Sequence, residues 1–140
     1  MTQYRKCALL VCMLMVLRGA SADVQVVVGA TSPVGGLSKQ QAADIFMGRV
    51  SSFPDGSQAI PIDLTEGADG RAEFYEKLIG KTEAQVRAYR ARMAFTGVGQ
   101  PPKAVPGPAD MKKLVRANPN LVGYVDSQSV DNTLKVVLKP

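Results

Sequence analysis

The chain has 140 residues, enough for one domain and too few for two ordinary ones, with 17 basic and 12 acidic side chains. It contains no histidine and no tryptophan, and its two cysteines are Cys7 and Cys12. Past Cys12 that composition excludes disulfides, thiol nucleophiles, the usual zinc ligands and the most common general base. Acid–base work by carboxylates is the one enzymatic option left.

The N-terminus reads as a cleaved export leader over residues 1–22. Arg5 and Lys6 form a positive start, Cys7 to Leu17 is an apolar run of 11, and Ser21-Ala22 completes a small-x-small cleavage pattern with Gly19 and Ala20 before it. The run is shorter than the roughly 18–20 apolar residues that span a bilayer, and Arg18 interrupts it, which argues against a membrane anchor. Cutting after Ala22 removes three basic residues and leaves 14 against 12 acids in residues 23–140. With no basic run longer than Lys112-Lys113, nucleic acid is not an expected partner.

The first strand is expected over Asp23 to Ala30, nearly continuous in β-branched residues and suited to burial on both faces. The turn "TSPVGG" follows. Ser38 with Gln41 forms a capping box that opens a helix with Ala42, Ile45 and Phe46 inward and Gly48 at its end. Pro54-Asp55-Gly56 marks another turn, and Ala59 to Leu64 reads as the second strand.

The stretch "TEGADGRAEFY", Thr65 to Tyr75, then runs a glycine turn into a helix over Arg71 to Ile79, with Phe74, Leu78 and Tyr75 inward. Gly80 breaks that helix. Thr82 with Gln85 caps the next, which carries Val86, Tyr89, Met93 and Ala94 at helical spacing, while Arg87, Arg90 and Arg92 read as solvated. In Gly97 to Pro108 seven of 12 residues are Gly or Pro, a loop long enough to suggest function or an interface. A short helix over Ala109 to Ala117, a strand in "LVGYVD" with Gly123 allowing close packing, and a last strand in "LKVVL" complete the chain. The order predicts one α/β domain over residues 23–140, a small mixed sheet flanked by helices, with no cofactor.

Three segments, "LSKQQAADIFMGRVSSFPDG", "EGADGRAEFYEKLIGKTEAQVRAYRARMAFTGVGQPP" and "NPNLVGYVD", occur in the order found in a known family. Together they resemble the phosphate ABC transporter substrate-binding proteins in a short, single-lobe form. That resemblance implies a nonenzymatic periplasmic protein with a periplasmic-binding-protein-like lobe, one that binds or senses phosphate or a related oxyanion beside an ABC permease. Full-length members close two lobes on the ligand; one lobe alone implies a homodimer or another envelope protein as the missing jaw.

The resemblance also locates the ligand turn. Where the family pattern resembles Arg-Ala-Asp-Gly-Ser-Gly-Thr, this chain has Leu64 at the arginine, and Ala68 and Gly70 at the serine and threonine. The glycines and the helix start remain, so Thr65, Gly67, Ala68, Asp69, Gly70 and Arg71 are the candidate ligand-binding residues. Amides at a helix start favour anions and Arg71 could add a bidentate contact, but Asp63, Glu66 and Asp69 oppose one. Two other readings stand beside this one: Asp69 simply caps the helix while Arg71 is solvated, or the three carboxylates hold a cation, though their spacing matches no calcium loop. Thr31 and Ser32, after the first strand, form a second candidate. A protein-interaction domain that keeps the lobe but has lost its ligand is the rival function. Catalysis by Asp63 and Glu66 is the least supported, and no metal site is expected.

Overall fold

The computed structural model describes residues 23–140; the expected leader lies outside them. Five strands form one sheet: β1 (Val24–Gly29), β2 (Ile60–Leu64), β3 (Lys103–Val105), β4 (Leu121–Asp126) and β5 (Leu134–Leu138), in the spatial order β3-β2-β4-β1-β5. β2 runs parallel to β3 and β4, whereas β1 runs antiparallel to β4 and β5. The mixed α/β sheet expected from the sequence is present, with β1 at its interior and Val26, Val27 and Val28 fully buried.

Helix α1 (Lys39–Phe46) starts at the predicted Ser38–Gln41 capping box, and α3 (Glu83–Thr96) at the predicted Thr82–Gln85 box. Between them, α2 (Arg71–Ile79) is bounded by glycines in the left-handed region, Gly70 and Gly80. The fourth helix, α4 (Pro108–Ala117), has proline in its first turn, where the missing N–H costs nothing.

The two faces of the sheet are packed differently. On one face Met111 and Val115 of α4, one turn apart, press on β1 and β4. The approach is so close that a Cβ on Gly123 would collide with the Met111 sulfur, and one on Gly29 would lie 2.8 Å from the Val115 carbonyl. Tyr124, the next residue, points to the opposite face and meets α1 and α2 through aromatic rings. It stacks on Phe74 at 3.7 Å, and Phe46 meets Phe74 edge-on at 4.9 Å.

Two expectations are corrected here. The Gly/Pro segment is not without structure: Lys103–Val105 adds a parallel edge strand to β2. Three residues flanked by prolines have little strand propensity of their own, and pairing with β2 makes the strand. The second correction concerns α3. Its expected stripe is only partly covered, with Val86 buried, Tyr89 and Met93 half-buried and Ala94 exposed. A second apolar row, Ala84, Ala88, Ala91 and Phe95, faces solvent, with Phe95 93% exposed.

Candidate functional site

β2 is apolar except for one residue. Asp63 lies at its buried C-terminal half, 1% exposed, and a carboxylate there needs donors on every side. It has them. Tyr124 donates its hydroxyl to Oδ1 at 2.5 Å and the Leu64 N–H donates to the same atom at 2.8 Å. Tyr75 donates to Oδ2 at 2.6 Å, and Arg90 and Arg71 donate to it at 2.9 and 3.3 Å. Arg90 also donates to the Tyr75 hydroxyl at 2.6 Å. The Tyr75 ring lies near both guanidiniums, 5.1 Å from that of Arg71 and 5.5 Å from that of Arg90.

The electrostatics follow from this saturation. Burial alone raises the Asp63 pKa, but the hydrogen bonds from Tyr124, Tyr75 and Arg90 and the charge of Arg71 outweigh it and hold it below the ordinary carboxylate value. Burial and the neighbouring Asp63 charge push both tyrosine hydroxyls well above theirs. Asp63 is therefore a fixed anion with its lone pairs committed. Glu66 is bound to a different arginine, Arg87. The pair once open to acid–base catalysis is thus divided between two ion pairs.

The candidate turn begins where β2 ends. Thr65, Glu66, Gly67 and Asp69 are exposed, and Ala68 and Gly70 are half-buried. Gly67 and Gly70 have φ of 82° and 87°, values that a residue with a Cβ adopts only at a cost, which accounts for both glycines. Arg71 is buried and ties the turn down: Nη1 donates to Glu83 at 2.8 Å and Nη2 to Asp63. The Gly67 N–H donates to the same Glu83 oxygen at 3.2 Å. Beside the turn, Asp69 and Gly70 join Leu64, Tyr124, Asp126 and Pro108 around a cleft of about 170 Å³.

Three readings from the sequence change. Asp69 does not cap α2: Gly70 occupies the N-cap position, with no side-chain hydrogen bond. Arg71 is not a solvated surface charge, and neither is Arg90, which reaches Asp63 from α3. As for a cation held by Asp63, Glu66 and Asp69, no cluster of three potential metal ligands occurs among the described residues.

Thr31 and Ser32 lie elsewhere. Because β1 is antiparallel to β4 while β2 is parallel to it, the C-termini of β1 and β2 point to opposite ends of the strands. Ser32 is buried and its hydroxyl accepts the Val34 N–H at 3.3 Å, while its carbonyl accepts from Lys135 at 2.6 Å; Thr31 is exposed. The rule that ligands gather beyond the carboxyl ends of strands applies to the parallel strands, here β2, β3 and β4.

The fold has solved counterparts. A Clostridium perfringens protein assigned as a phosphate ABC transporter substrate-binding protein, solved with phosphate bound, matches at TM-score 0.66 and 20% identity over 82% of this chain and 44% of its own. An ABC-type phosphate transport receptor from Vibrio cholerae matches at 0.64 and 21%, over 82% of this chain and 45% of its own. PstS from Borrelia burgdorferi matches at 0.62 and 12%, over 82% and 46%. The chain has the fold of a single lobe of such proteins. It spans less than half the length of each of these structures. No protein-family model and no curated protein matches it.

The lobe's charged cluster was only partly legible beforehand. The sequence groups Asp63 with Glu66 and Asp69 as negative charge on the turn rather than as a buried acid, and gives Tyr75 as an inward position of α2. Arg90 could have been found by continuing the inward stripe from Val86 by one turn, since position 90 falls on the same face. Tyr124 carried no signal, because a tyrosine in a strand packs equally well without a partner for its hydroxyl.

Proposed function

We propose that this chain is an exported, nonenzymatic solute-binding lobe for phosphate or a related small oxyanion, working with an ABC-type phosphate uptake system. The observation that carries the reading is the shared fold with solved phosphate-transport proteins over 82% of the chain, one of them holding phosphate. The ligand would meet the turn from Thr65 to Arg71 (Thr65, Gly67, Ala68, Asp69, Gly70 and Arg71), at the end of the parallel strands and beside the cleft under Asp69 and Gly70. Residues 1–22 would direct the chain to the periplasm and be removed there, releasing the lobe. Among the described residues no helix is long and apolar enough to cross a membrane.

Small ligands gain affinity from clefts that bury most of their surface, so a lone lobe needs a cover. A second copy of the chain or another envelope protein would supply it, and a permease would accept the cargo. The test is thermal melting with phosphate against sulfate and chloride at matched ionic strength. A specific ligand raises stability by about 2.7 kcal/mol at a hundredfold excess over its dissociation constant. A phosphate-specific rise is expected, and identical melting in all three salts overturns the reading.

The rival, an interaction module without a ligand, has one observation in its favour. The exposed row on α3 ending in Phe95, continued by Val98 at 58% exposure, is an apolar surface that solvent alone does not explain. Unchanged melting in every anion, together with concentration-dependent association lost in Phe95→Ser, would establish it.

A further inference from the structure

Glu83 opens α3, yet its carboxylate reaches back to the turn that follows β2. One oxygen, Oε1, accepts the backbone N–H of Gly67 and the Nη1 of Arg71. Backbone amides of a glycine turn and a guanidinium are two kinds of donor that hold an oxyanion. The turn already grips an anion, and that anion belongs to the protein.

We infer that Glu83 is a built-in competitor for the oxyanion site, its carboxylate filling the place that an incoming ligand would take and so setting the ligand's affinity. This rests on the turn being the oxyanion site proposed above. Three observations carry it beyond that reading. First, Arg71 is 6% exposed and its Nε has no hydrogen-bond partner among the described residues, so the guanidinium is held without being saturated. Second, the two acids on Arg71 are unlike. Asp63 is enclosed by two tyrosines, two arginines and a backbone N–H, whereas the Glu83 side chain is 22% exposed and can swing into water. Third, with Glu83 in place every arginine of the cluster has an acid and the turn still carries one negative charge in excess. Arg71 and Arg90 face Asp63 and Glu83, Arg87 faces Glu66, and the exposed Asp69 adds a further negative charge on the turn. An oxyanion that displaces Glu83 keeps the amide and guanidinium bonds and sends one carboxylate into solvent.

Phosphate titration by calorimetry and by melting, on the full-length chain and its variants, decides the point. Glu83→Gln keeps shape and removes charge, so it is expected to bind phosphate about tenfold more tightly, because a charge-assisted contact no longer has to be broken. Glu83→Ala should do the same if it folds, and Glu83→Gln carries the test if it does not. Glu66→Gln removes one negative charge from the same turn without touching Arg71, and should raise the affinity far less than Glu83→Gln, through charge alone. Equal phosphate affinity in the unsubstituted chain and Glu83→Gln overturns the inference and leaves the oxyanion reading intact. An equal gain in Glu66→Gln overturns it too, by showing a general charge effect. No response in any variant overturns both.

Discussion

Two turns in this lobe have the same local plan, a strand running through glycines into a helix, and they do different things. After β1, the turn from Thr31 to Gly36 is held by neutral and backbone groups and one lysine: the Ser32 hydroxyl takes the Val34 N–H, and the Ser32 carbonyl accepts from Lys135 of β5. After β2, the turn from Thr65 to Gly70 is anchored through Arg71 to a buried carboxylate and to a second helix. The difference comes from strand direction. β1 delivers its turn to the end of the sheet where β2 begins, and β2 delivers its own to the opposite end, where the parallel strands β2, β3 and β4 all finish.

The largest test of that contrast is Asp63→Ala. It strands Arg71 and Arg90 without their shared acid, and urea unfolding should show a loss of about 3–5 kcal/mol. A loss below 1 kcal/mol would mean the β2 turn is no more anchored than the β1 turn.

Acid and alkali probe the same cluster without mutation. The Asp63 pKa is lower in the folded chain than in the unfolded one, so its stabilisation is present above the unfolded value of about 3.9 and is lost as pH falls through the folded value. Tyr75 and Tyr124 are shifted the other way. Their contribution is present below the unfolded value of about 10 and declines as pH rises past it, since the folded state then retains protons that the unfolded state has released. Urea midpoints between acid and alkaline pH should fall at both ends, and in Tyr75→Phe the alkaline fall should shrink.

The smallest effect separates the turns directly. Gly70→Ala forces a Cβ into a left-handed conformation and should cost about 1–2 kcal/mol. Gly36→Ala meets only the Val137 carbonyl oxygen at 3.8 Å, needs no positive φ, and should shift stability by less than about 0.5 kcal/mol. Equal costs would remove the distinction.

How much of this was readable in advance varies along the chain. Both capping boxes, Ser38–Gln41 and Thr82–Gln85, act as their residue types predict, because a cap is chemistry among neighbours three positions apart. Gly123 likewise marked a close approach before α4 was known to supply it. The candidate turn was visible for the same reason: its glycines and helix start are local. What that turn is bonded to was not visible, because Glu83 and Asp63 lie 12 and 8 residues from Arg71 and Arg90 lies 27 from Asp63.

Helix ends, turns and the apolar strands were settled by near neighbours, through hydrogen bonds and side-chain spacing that any window of a few residues contains. Strand direction, the pairing that turns Lys103–Val105 into β3, and the partner of every buried charge were settled only by the folded whole. Those depend on which segments meet across the sheet. A charged side chain such as Arg90 looks alike in sequence whether it ends in water or against Asp63.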